Sequence, residues 1–149
     1  MKKRLQMGRI EESIEIKRPV DKVFAYTTIA KDWPKWHDYI PEAEQTSRGQ
    51  VDVGTTFKGK TRMWGLTLEW TGKLMEYEPY KRWRLIVDAG SVSTDEKLTF
   101  DAVESGTKFT IVYDVKVSGL LKLLSSRIDS SMLKQWKLSL ISLKNILEA

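Results

Sequence analysis

The chain has 149 residues, 41% of them hydrophobic and 30% charged, with a formal net charge of +5. Such a length and balance suit one soluble globular domain with its own core. The absence of cysteine and the single histidine exclude a disulfide framework, a thiolate nucleophile or metal site, and any multi-histidine metal cluster.

Residues 1–9 are basic but lack the apolar run of a secretory signal, and residues 1–8 read as a flexible arm. No stretch approaches the roughly 18 apolar residues of a membrane span, so the expected location is the cytoplasm. Arg9–Lys17 alternates, with Ile10, Ile14 and Ile16 on one side and Glu11, Ser13 and Glu15 on the other, which predicts a half-buried strand. Pro19 suits the start of a short helix carrying Val20, Val23, Phe24 and Thr27 on one stripe. A second short helix or turn is bounded by Pro34 and Pro41 and carries Trp33, Trp36 and Tyr39.

Strands then follow one another. A short one is expected from Glu42 towards Gly49. In the next, Thr55–Met63, the residues Phe57, Gly59, Thr61 and Met63 oppose Lys58, Lys60 and Arg62. After a turn at Trp64-Gly65, the residues Leu66, Leu68, Trp70, Gly72 and Leu74 share an inward face. Trp83, Leu85 and Val87 face inward in Arg82–Asp88, as do Thr94, Glu96, Leu98 and Phe100 in Val92–Val103. A hairpin at Glu104–Thr107 leads to Phe109, Ile111, Tyr113, Val115 and Val117.

Gly119 opens the last segment. Leu121, Leu124, Ile128, Met132, Trp136, Leu140 and Leu147 recur at helical spacing, widened by Leu133, Ile141 and Leu143. The main helix is expected from about Arg127 to Leu147, roughly 30 Å at ~1.5 Å per residue. A strand of nine or ten residues has about the same length, so one helix can cover a whole sheet. The predicted fold class is therefore α+β: a curved antiparallel sheet of about six to seven strands wrapped on a long C-terminal helix, with two short helices after the first strand.

The motifs along this order resemble the START-like (SRPBCC) superfamily, and within it the polyketide cyclase/dehydrase and lipid-transport type. The resemblance rests on Ile14–Phe24 with its P-x-x-V-F pattern, on Trp33-Pro34-Lys35-Trp36, on Tyr77–Trp83, on Gly106-Thr107 and on the closing helix. It spans nearly the whole chain as a single domain and implies a helix-grip fold with a ligand cavity between sheet and helix. It transfers no catalytic residue, because the superfamily has no universal catalytic motif.

Large and adaptable side chains are expected to line that gap: Phe57, Thr61, Met63, Trp70, Trp83, Glu96, Phe100, Tyr113, Met132 and Trp136. Gly59 and Gly72 either make space for a ligand or mark strand bends. Glu96 is the sharpest oddity, a carboxyl at an inward position; the alternative is a place at the mouth, paired with Arg62 or Arg84. His37 reads as a surface or capping residue more than as a base. No phosphate loop, zinc motif or dinucleotide fingerprint is present, and no cofactor is expected.

Lys58, Lys60, Arg62, Lys73, Arg82 and Arg84 fall on the outward face, but 20 acidic residues are interleaved with the 25 basic ones. Nucleic-acid binding would also require exposed aromatics among those charges, and the aromatics alternate inward, so no nucleic acid is expected. The mildly basic surface is compatible with a transient contact with an anionic membrane, and no obligate protein partner is evident. The leading expectation is binding or transport of an apolar or amphipathic small molecule. A cyclase or dehydratase acting through Glu96, Tyr113 or His37, and an interaction domain with a filled core, are the alternatives.

Overall fold

The computed structural model describes residues 9–63 and 65–149. The expected basic arm and Trp64 of the expected Trp64-Gly65 turn lie outside those residues. In chain order the elements are β1 (Arg9–Ile16), α1 (Val20–Thr27), a 3₁₀ turn (Ala30–Asp32), α2 (Trp33–Trp36), β2 (Glu42–Gln45), β3 (Thr56–Met63) and β4 (Leu66–Glu78). There follow β5 (Arg82–Asp88), β6 (Val92–Val103), β7 (Gly106–Val117), a 3₁₀ segment (Gly119–Leu124) and α3 (Ser125–Glu148).

The seven strands form one antiparallel sheet in the order β1-β7-β6-β5-β4-β3-β2. Five consecutive hairpin pairings run from β2 to β7, and β1 closes on β7 with Ile14 opposite Phe109. Because β1 and β2 sit on opposite edges, the segment joining them must cross the sheet, and it carries α1 and α2. The apolar face of the sheet is thus covered from two sides, by α3 and by this crossover.

Alternation decides which side chains are buried. On β7, Phe109, Ile111, Tyr113, Val115 and Val117 are all buried, as expected. Two departures have local causes. The register shifts between Leu74 and Glu76, so Glu76, which alternation would turn inward, is exposed, and Tyr77 packs against the core instead. Leu66 opens β4 at the tip of its hairpin and is exposed, with none of the described residues covering it.

On α3, Ile128, Met132, Trp136, Leu140, Leu143 and Leu147 form the buried stripe. Each such side chain contributes roughly 1.5–3 kcal/mol by burial. The stripe is narrower than the sequence reading had it. Ile141 lies about 140° around the helix from Trp136 and is exposed. The helix end is tied to β1: the Arg18 guanidinium donates to the Leu147 carbonyl at 2.8 Å, and the Lys17 backbone N–H donates to Glu148 Oε2 at 2.7 Å. A cation on the last-turn carbonyls is favourable against the helix dipole.

The outward sheet face carries compensated charge rather than a basic patch. Lys58 pairs with Glu44 and Lys60 with Glu42 across β2 and β3, both at 3.3 Å. Arg84 grips Asp95 through two nitrogens, at 3.0 and 2.8 Å, and reaches Glu76 at 3.4 Å. Among the described residues, no helix is long and apolar enough to cross a membrane.

Candidate functional site

Between the sheet and α3 lies a partly open space of about 70 Å³. The sheet supplies Thr61 and Met63 from β3, Leu68 and Trp70 from β4, and Leu85 and Val87 from β5. β6 adds Val92, Thr94, Glu96 and Leu98, and β7 adds Tyr113. Met132 and Trp136 close the space from α3. Strand registers place the turn after β5, the tip of the β3–β4 hairpin and the 3₁₀ segment at one end of the sheet, and Ala89, Val92 and Met63 lead from the space towards that end.

Seven of the ten residues expected to line the gap therefore do surround one space: Thr61, Met63, Trp70, Glu96, Tyr113, Met132 and Trp136. Phe57, Trp83 and Phe100 are buried but lie in closed aromatic packing outside the lining. Phe57 packs on Trp33 at 5.2 Å and on Trp83 at 5.8 Å between ring centroids. Phe100 packs on Phe24 at 5.0 Å and on Phe109 at 5.1 Å. The crossover helices fill that half of the sheet face.

The same crossover brings in a wall that sequence reading missed. Trp33, Trp36, His37 and Tyr39 all line the space. Their signal was the aromatic density of residues 33–39, but a four-residue helix has no periodicity from which to read a face. His37 is buried rather than on the surface, and its Nδ1 lies 2.9 Å from Ser139 Oγ on α3. It stands edge-on to Trp136 at 4.9 Å, pinning α2 against α3. Burial pulls its pKa down from 6.5 to about 3, so the imidazole is neutral at physiological pH. Its Ser139 partner is outside the lining, so no nucleophile–base pair faces the space.

Glu96 is opposite Tyr113 on β7 and Leu85 on β5. Its carboxyl has no ion-pair or hydrogen-bond partner among the described residues, since Arg84 is engaged by Asp95 and Glu76 on the other face of the sheet. Desolvation raises its pKa from 4.5 to about 7, and the Asp95 carboxylate adds to the rise. The Trp83 indole works in the other direction, although its Nε1 is buried short of hydrogen-bond geometry to any acceptor. Burial, with the Glu96 charge second, lifts the Tyr113 phenol above its ordinary 10.0. The Trp36 and Trp136 nitrogens and Thr94 Oγ1 are likewise buried without a partner. Around one acid of near-neutral pKa the walls are therefore apolar and aromatic.

A seven-stranded antiparallel sheet gripping a C-terminal helix defines a START-like domain. The chain belongs to the family described as polyketide cyclase / dehydrase and lipid transport, which matches residues 7–145. No curated protein matches it in sequence. Among solved structures it is similar to the ZhuI aromatase/cyclase from Streptomyces sp. R1128, with a TM-score of 0.81 at 11% identity over 94% of this chain and 93% of that one. It is also similar to TTHA0849 from Thermus thermophilus, with a TM-score of 0.76 at 15% identity over 93% and 94% of the two chains. The di-domain ARO/CYC StfQ from the steffimycin biosynthetic pathway gives a TM-score of 0.75 at 14% identity, covering 94% of this chain and 50% of that one. Likeness at such identities establishes the fold.

Proposed function

We propose that the protein binds an apolar or amphipathic small molecule between the sheet and α3. The observation that carries this reading is the internal space itself, apolar on nearly every side and with one carboxyl in its lining, in a member of a family of cyclases and lipid-transport proteins. This space is what favours a binding site over a filled-core interaction domain. At about 70 Å³ it takes a compact group or a handful of waters as it stands. Drug-sized ligands use pockets of roughly 300–1,000 Å³. A larger guest therefore needs the walls to yield, and Met63 and Met132 are the adaptable side chains to do so.

The 3₁₀ segment, at the end of the sheet towards which Met63, Ala89 and Val92 lead, supports a membrane contact during loading. Leu120 and Leu123 are 85% and 84% exposed, with Lys122 between them and Lys116 just before. Exposed leucines among lysines suit an anionic bilayer. Binding to vesicles containing phosphatidylglycerol, lost in a Leu120→Ser, Leu123→Ser variant, tests this.

The second reading is an enzyme of the cyclase or dehydratase kind, in keeping with the similarity to the ZhuI aromatase/cyclase. Glu96 favours it, because an acid with a pKa near 7 is poised to exchange protons at working pH. His37 is a poor candidate for the base, being so weakly basic. Native mass spectrometry of freshly purified protein is the primary experiment. A co-purifying small molecule, together with saturable quenching of Trp emission on adding it back, supports binding. Its absence, with no saturable response to any ligand class, overturns the proposal. Turnover lost in Glu96→Gln while binding persists moves the assignment to the enzyme.

A further inference from the structure

The internal space carries charge of one sign. Glu96 is its charged side chain, and no Lys or Arg among the described residues joins the lining. Six aromatic rings surround the same space: Trp33, Trp36, Tyr39, Trp70, Tyr113 and Trp136. Five of them pack in two groups, Trp33 with Trp70, and Trp136 with Trp36 and Tyr113, while Tyr39 packs on His37. Trp33 and Trp70 are 6.3 Å apart, Trp36 and Trp136 6.1 Å, and Tyr113 and Trp136 5.4 Å between centroids. Tyr113 is also the direct cross-strand neighbour of Glu96.

A half-buried carboxylate with no cationic partner among the described residues, and only the Trp83 indole as a donor beside it, is costly for the protein alone. For a cation it is favourable twice over. The carboxylate supplies a charge-assisted hydrogen bond, and ring faces attract positive charge through their quadrupole. An anionic head meets the reverse: repulsion from Glu96 and no basic side chain to receive it. Fatty acids, and any ligand led in by a carboxylate, are disfavoured on this ground. The apolar residues towards the mouth, Met63, Val87 and Val92, suit the body of such a ligand.

Resting on the reading that this space holds a small molecule, we propose that its ligand is a cationic amphiphile. A protonated amine lies beside Glu96 within the aromatic wall, and an alkyl or aryl body extends past Met63, Val87 and Val92. The ammonium supplies the charged partner that Glu96 lacks among the described residues.

Three ligands matched in chain length test this at pH 8: n-octylamine, 1-octanol and octanoate. Each is titrated below its aggregation threshold and followed by Trp emission and calorimetry. The expected order is amine tightest, with Kd at least tenfold below that of the alcohol, and octanoate weakest. Glu96→Gln, checked for folding by circular dichroism and thermal melting, should erase the preference of amine over alcohol. Equal binding of all three, or octanoate binding tightest, overturns the cationic assignment while leaving the small-molecule reading in place. An amine preference that survives in Glu96→Gln overturns the role of the carboxylate. No saturable binding of any of the three overturns this proposal, while the small-molecule reading is decided by the native mass spectrometry and the wider ligand titration.

Discussion

Gly59 and Gly72 sit at inward positions of neighbouring strands, yet they do different things. A Cβ at Gly59 would clash with the Glu42 carbonyl oxygen and come within 2.5 Å of the Trp70 ring. The missing side chain lets the indole of Trp70, its direct cross-strand partner, lie close over the strand. At Gly72 a Cβ would meet Leu85 at 3.4 Å, an ordinary contact, and the residue is outside the lining of the internal space. Neither glycine opens that space. Gly59→Ala should therefore destabilise by roughly 1–3 kcal/mol, the range for overpacking. Gly72→Ala should be near neutral or slightly stabilising, because it also removes unfolded-state freedom. Urea denaturation of the two variants checks this, and equal midpoints would contradict it. Inward placement of both glycines was readable from strand alternation. What each meets was not, because that depends on which ring folds over which strand.

Among the elements, the same limit shows in α2. Alternation on β3 to β7 and the stripe on α3 were readable because each repeats many times over one element. The segment from Trp33 to Tyr39 is too short to repeat, so its four lining residues emerged only from the crossover that carries it over the sheet. Nor does the sequence pair distant charges: Arg84 was a candidate partner for Glu96, but strand parity puts it on the opposite face beside Asp95. The crossover is held to α3 through His37 and Ser139, both buried. Ser139→Ala removes the partner of a buried imidazole nitrogen, and leaving such a group unsatisfied costs about 1–3 kcal/mol. The expected result is a lower melting temperature with unchanged far-ultraviolet circular dichroism, since α3 keeps its apolar stripe. A loss of helical signal at 20 °C would show that the pair is required to form the helix rather than to dock it.

For the molecule as a whole, two inward-facing groups titrate with opposite consequences. Glu96 has its pKa raised from 4.5 to about 7, so between those values the folded state holds a proton that the unfolded state has released. Its contribution to stability falls as pH rises from 4.5 to 7 and is constant above. His37 has its pKa lowered from 6.5 to about 3, so between those values the unfolded state holds the extra proton. Its contribution falls as pH drops from 6.5 to 3. Each alone gives a slope of up to about 1.4 kcal/mol per pH unit. From 4.5 to 6.5 the slopes oppose and cancel, so stability should be nearly flat there, with a decline on the acid side. Asp95 and Glu148, whose pKa values are lowered by Arg84 and Lys144, steepen that decline below their ordinary 3.8 and 4.5. In Glu96→Gln the compensation is gone. Its stability should climb from pH 4.5 to 6.5, where the wild type is level, and its advantage over wild type should grow until about pH 7. At roughly 2–4 °C per kcal/mol for a domain of this size, the difference is readable from melting curves taken at pH 4.5, 5.5, 6.5 and 7.5. Parallel profiles for the two proteins would mean that Glu96 titrates normally and has solvent or a partner at its carboxyl. A wild-type profile that rises through this window and turns level only in His37→Gln would locate the imbalance at His37 instead.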